Sequence, residues 1–147
     1  MKLLRWLAML ALGFLGISSV VGAVPMILDP DGTPWQMPQT LLDPSPFHSY
    51  LLPGIILFIV NGVLSIAALI GVVRRDPWHG GWVVLQGVVL AAWLLVEIAM
   101  IRHVWGVHYF YLGLAVLMIV SGVLLKRERQ PASTKSASAL DPRATLE

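Results

Sequence analysis

The chain has 147 residues, of which 57% are apolar and 12% charged, and its mean hydropathy is +0.79. Soluble domains carry about 25% charged residues, so too few polar side chains exist here to coat a globule in water, and the bilayer is the expected solvent. The absence of cysteine excludes disulfides, thiolate metal sites, Cys nucleophiles and thiol redox chemistry. The net charge of +2 forms no basic face interleaved with aromatics, so nucleic acid is not an expected partner.

Four apolar stretches follow in chain order: about 6–28, 51–73, 81–101 and 107–125. About 20 residues at 1.5 Å each cross a hydrocarbon core of about 30 Å, so each stretch can span as a helix. The runs lack the period-two alternation of barrel strands, and four strands cannot close a barrel. The expected fold is all-α: a transmembrane four-helix bundle over residues 1–125 with a proline-rich outer loop at 29–50.

Lys2 and Arg5 precede the first span, Arg74 and Arg75 follow the second, and Lys126, Arg127, Arg129, Lys135 and Arg143 follow the fourth. These are all the basic residues but Arg102, and an excess of Lys and Arg marks the cytoplasmic side, so both termini are expected in the cytoplasm. Trp6, Trp78 and Trp82 would then mark the inner interface, and Trp35, Phe47, Tyr50, Trp105, Tyr109 and Tyr111 the outer one. Val21-Gly22-Ala23 has the small residues of a signal-cleavage site, but the apolar run of the first span exceeds the roughly 7 to 15 residues of a signal core, which favours a retained helix. Residues 126–147 are rich in Ser, Ala and charge and read as a disordered cytoplasmic tail.

Asp29 to Tyr50 holds Pro30, Pro34, Pro38, Pro44 and Pro46. Each fixes φ and restricts its predecessor, so ordering this loop costs less entropy than ordering a flexible linker. Asp29-Pro30-Asp31-Gly32 is turn chemistry, and Pro38 to Leu42 suits one helical turn laying Leu41 and Leu42 on the membrane interface. Gly80-Gly81 reads as a turn before Trp82. Pro53 fits the first turn of the second span, where its missing N–H leaves no bond unmade.

The pattern D-P-x-G at Asp29 to Gly32, Met37-Pro38, Leu41-Leu42, Ser45-Pro46-Phe47 and Tyr50-Leu51-x-Pro53-Gly54 resembles a family of small, uncharacterised bacterial four-span integral membrane proteins. The resemblance implies a location in the bacterial cytoplasmic membrane. It implies no activity, cofactor or catalytic residue.

Glu97 is the one carboxylate inside a span. An ionised group at a helix centre costs on the order of 2.5 to 3.5 kcal/mol to insert, so it is expected paired, protonated or near the outer edge. Arg102 is five residues on and points to another face, whereas Tyr111 in the fourth span matches its depth and suits a hydrogen bond to it. Helical spacing puts Gln86, Leu90, Trp93 and Glu97 on one stripe of the third span. It puts Gly54, Phe58, Asn61, Ser65 and Ala68 on one stripe of the second. Both stripes should face inward as close-packing and hydrogen-bonding surfaces, with a polar cavity around Asn61, Gln86 and Glu97 as the sharper alternative.

His48, His103 and His108 fall on the outer side near Asp29, Asp31 and Asp43 and are weak metal candidates, since His103 and His108 are five apart and no H-E-x-x-H occurs. No Ser-His arrangement or glycine-rich phosphate loop is evident, and no cofactor is indicated. The balance is against an enzyme. The expected role is a non-enzymatic binding, assembly or accessory protein whose partners are the lipid bilayer and other membrane proteins or a small ligand at the outer face. Its binding candidates are Glu97, Gln86, Asn61, Tyr111 and Trp93. The alternatives are a small transporter or channel subunit with a polar path near Asn61, Gln86 and Glu97, and then an intramembrane enzyme.

Overall fold

A computed structural model describes residues 2–33 and 36–127; Trp35 and the expected tail beyond Arg127 lie outside the described residues. Four helices are long and apolar enough to cross a membrane: α1 (Lys2–Leu28), α2 (Leu51–Arg74), α3 (His79–Ile101) and α4 (Gly106–Arg127). No strand occurs among the described residues. The helices run up and down as two hairpins, α1 with α2 and α3 with α4, and α1 also packs on α4 and α2 on α3. The bundle therefore has a terminal end, carrying the N-terminus and the α2–α3 turn, and a loop end, carrying residues 29–50 and the α3–α4 turn.

Helix ends follow local chemistry. Arg75 and Arg102 adopt left-handed φ of 58° and 53° at the C-caps of α2 and α3, the conformation that lets a backbone N–H fold back on the last carbonyls. Pro53 sits in the first turn of α2, and the next residue, Gly54, donates its N–H to the Tyr50 carbonyl at 2.9 Å. Gly80-Gly81 is helical rather than a turn, because α3 already begins at His79.

The reason lies in helix packing. A Cβ on Gly80 would come within 2.9 Å of the Gly122 carbonyl oxygen, and one on Gly122 within 2.8 Å of both the Gly80 oxygen and the Val84 nitrogen. Backbone thus touches backbone between α3 and α4, the close approach that small residues permit where lipid removes the hydrophobic drive for helices to associate. Around this seam the core is Leu12, Leu15, Val72, Val83, Leu90, Met118 and Leu125. Leu10, Ile17, Ile59, Val73, Leu95 and Val120 are exposed on the outside, an apolar surface that only a hydrocarbon solvent suits.

Gly122→Ala should destabilise the bundle by about 1 to 3 kcal/mol by overpacking the α3–α4 seam. Gly113→Ala, where an added Cβ meets nothing within 4 Å, should be neutral or stabilising by up to about 1 kcal/mol. Denaturation in detergent followed by circular dichroism separates the two.

Candidate functional site

The stripes expected to face inward do so. Asn61, Ser65, Ala68, Gln86 and Leu90 are buried, while Trp93 and Glu97 at the loop end of α3 are half-buried. Asn61 and Gln86 meet in the middle of the bundle, where Gln86 Nε2 donates to Asn61 Oδ1 at 3.4 Å and to the Val60 carbonyl at 3.3 Å. That carbonyl is available because α2 widens to π-type turns over Leu57–Val63. The N–H of Leu64 reaches back to Ile59, five residues away, and passes over Val60. Nothing in the hydrophobic pattern signalled the widened turn. The Asn61 Nδ2, Ser65 Oγ and Gln86 Oε1 atoms are buried with no hydrogen-bond partner among the described residues.

Glu97 stands apart from this pair. Eleven residues separate it from Gln86 on α3, about 16 Å at 1.5 Å per residue, and buried Leu90 and Leu94 lie between them. The structure brings Glu97 instead to a cavity of about 270 Å³ at the loop end. Its floor and walls are Ser18, Ser19, Gly22 and Met26 of α1, Pro53 and Leu57 of α2, Leu90, Trp93, Leu94, Glu97, Met100 and Ile101 of α3, and Tyr111 of α4. Its roof is the proline-rich loop, through Met37, Leu41, Leu42 and Tyr50.

The loop is held by its own backbone and by Tyr50. Gly32 takes φ 72°, which suits glycine, and its carbonyl accepts from the Met37 N–H at 3.1 Å. Residues Gln39–Leu42 form the expected helical turn, as a 3-10 helix. It differs from expectation in direction: Leu42 is buried and Leu41 half-buried, both lining the cavity rather than lying on the membrane interface. Tyr50 also differs, being 4% exposed instead of an interfacial aromatic. Its phenol donates to the Pro38 carbonyl at 2.7 Å and its N–H to the Pro30 carbonyl at 2.9 Å, so one residue pins both arms of the loop. Burial pushes the Tyr50 phenol above its ordinary pKa, which keeps it a donor.

Glu97 has two polar neighbours: the side chain of Trp93, one turn back on α3, which hydrogen-bonds it, and His108, with Nε2 4.0 Å from Oε1. Tyr111, expected to donate to Glu97, lines the same cavity and packs its ring edge-on against Phe110. The Trp105 N–H donates to His108 Nδ1 at 3.0 Å. The same Nδ1 lies 3.3 Å from the Trp105 carbonyl oxygen, so the Trp105 backbone holds this side of the ring and leaves Nε2 facing the carboxyl. His103 and His108, whose five-residue spacing speaks against a metal pair, differ in burial: His108 is buried in α4 while His103 is exposed and packs against Trp105. His48 is exposed on the loop. No group of three His, Asp or Glu side chains suited to a metal ion occurs among the described residues.

No family model, curated protein or solved structure matches the chain.

Tyr50→Phe should cost about 0.5 to 1.5 kcal/mol through the lost bond to Pro38 and speed proteolysis of the loop in folded protein. The sign of its pH effect follows from the raised pKa. The unfolded phenol ionises near 10 and the folded one higher, so the contribution is complete below about pH 10 and is lost as pH rises toward the folded value. Stability of the wild type minus that of Tyr50→Phe, measured from pH 8 upward, should therefore fall above about pH 10.

Proposed function

We propose that this is a non-enzymatic binding protein of the bacterial cytoplasmic membrane, with both termini cytoplasmic, that takes a small apolar or amphiphilic molecule under its outer loop. The observation that carries this reading is the roofed cavity. It is apolar apart from a few polar groups, and at about 270 Å³ it is just below the common range of small-molecule pockets, about 300 to 1,000 Å³. Lys2, Arg5, Arg74, Arg75, Lys126 and Arg127 gather at the terminal end, which supports the orientation.

A transporter or channel needs a polar path joining Glu97 to Asn61 and Gln86, and the apolar Leu90 and Leu94 between them favour binding over passage. An enzyme needs a histidine converging with a carboxylate, which His108 and Glu97 do. The His108 Nδ1 lies against the Trp105 backbone, however, and its Nε2 is buried without a hydrogen bond, 4.0 Å from Glu97 Oε1. Neither nitrogen bonds a serine hydroxyl among the described residues, and the Ser18 hydroxyl bonds to the Leu15 carbonyl of its own helix.

Methionine methyl NMR in nanodiscs tests the binding. Met26, Met37 and Met100 line the cavity, whereas Met118 is buried in the core and Met9 packs against it. Titration with octanol should shift the first three saturably and leave Met9 and Met118 unmoved. Uniform or non-saturating shifts would mean partition into the bilayer only. For orientation, a membrane-impermeant thiol reagent on intact cells should label Gln36→Cys and not Ser136→Cys.

A further inference from the structure

We infer that the occupant of this cavity is a lipophilic cation, an alkyl chain carrying a positively charged amine, with Glu97 as its counter-charge. The inference rests on the binding reading above and adds the chemistry of the headgroup. Among the side chains lining the cavity, Glu97 is the one carboxyl, and no Lys, Arg or His lines it. A phosphate or carboxylate headgroup would meet this carboxyl with no positive group to offset it, at a cost that a low-dielectric site makes large.

No Lys or Arg lies in ion-pair range of Glu97 among the described residues, and its ionisable neighbour His108 stands with Nε2 4.0 Å from Oε1, beyond hydrogen-bond distance. With no lysine or arginine beside it and no hydrogen bond to His108, the carboxyl has room for a ligand that brings a positive charge. Trp93 lies one turn before Glu97 on the same face of α3, and Tyr111 lines the cavity from α4. The Trp93 side chain hydrogen-bonds the carboxyl and so holds it in place at the edge of the cavity.

The approach carries the same sign. Residues 29–50 contain Asp29, Asp31 and Asp43 and no Lys or Arg, so the loop that roofs the cavity presents negative potential to anything entering from its side. The rest of the lining, among it Met26, Leu57, Leu90 and Met100, is apolar and takes the chain. The chain and the head thus have separate places, and only a cationic head matches the second.

Three probes of equal chain length separate the outcomes: octyltrimethylammonium, octanol and octanoate, titrated against methionine methyls in phosphatidylcholine nanodiscs. Octyltrimethylammonium should saturate the shifts of Met26, Met37 and Met100 at a concentration at least tenfold below octanol, and octanoate should not bind. Glu97→Gln, which keeps the shape and removes the charge, should bring the cation and the alcohol to the same affinity, with circular dichroism confirming the fold. Equal affinity of cation and alcohol in the wild type, a comparison that needs no variant to fold, would overturn the inference and leave the binding reading standing. A cation preference that survives Glu97→Gln in folded protein would also overturn it. Shifts with none of the three probes would remove the binding reading along with it.

Discussion

The interaction on which the rest of the bundle depends is the amide of Gln86 reaching the Val60 carbonyl. Within a bilayer, backbone groups have no water to turn to, so a helix that leaves a carbonyl without its own N–H needs a donor from elsewhere. The widened turns of α2 create that need and Gln86 meets it. Because α2 belongs to one hairpin and α3 to the other, this contact also joins the two halves at mid-depth. It is worth more than a bond between two flexible side chains, since breaking it strands a buried acceptor as well as a buried amide.

What lies above that joint follows from it and from the glycine seam. Gly80 and Gly122 draw α3 and α4 together at the terminal end, while at the loop end the side chains are large: Trp93, Met100, Tyr111, Met26. These side chains line the cavity. The proline-rich loop closes it, because its stiff backbone needs few pins, and Tyr50 supplies two of them. Glu97 is tolerated at this depth because it lines that space with the polar side chains of His108 and Trp93 beside it.

Two polar features of the interior therefore have different meanings. Asn61 and Gln86 face one another across a helix contact and serve cohesion. Glu97 is beside them only on a helical wheel; along the axis it lies three turns away, among aromatic and aliphatic side chains open to the loop end. A shared stripe shows which way residues face, and says nothing about whether they share a site.

The number of helices, their approximate limits, the inward stripes of α2 and α3, the 3-10 turn in the loop and the place of Pro53 were legible in the chain, because hydropathy, helical periodicity and proline geometry act over short sequence distances. Gly80-Gly81 reads as a turn in the sequence but is helical, since a glycine pair signals backbone freedom and close packing alike and only the partner helix distinguishes them. Tyr50 and Leu42 carried no mark of turning inward. The partner of Glu97 was equally hidden. Tyr111 and His108 are three residues apart on α4, and depth alone favoured Tyr111, whereas the rotation of α4 against α3 and the Trp105 N–H on Nδ1 turned His108 toward the carboxyl. The sequence by itself determined the solvent, the spans and the faces, each set by the transfer of side chains between water and hydrocarbon. The widened turn at Val60, the cavity and the pairing of His108 with Glu97 were decided by tertiary structure, because each depends on which backbone atoms of one helix come within reach of another.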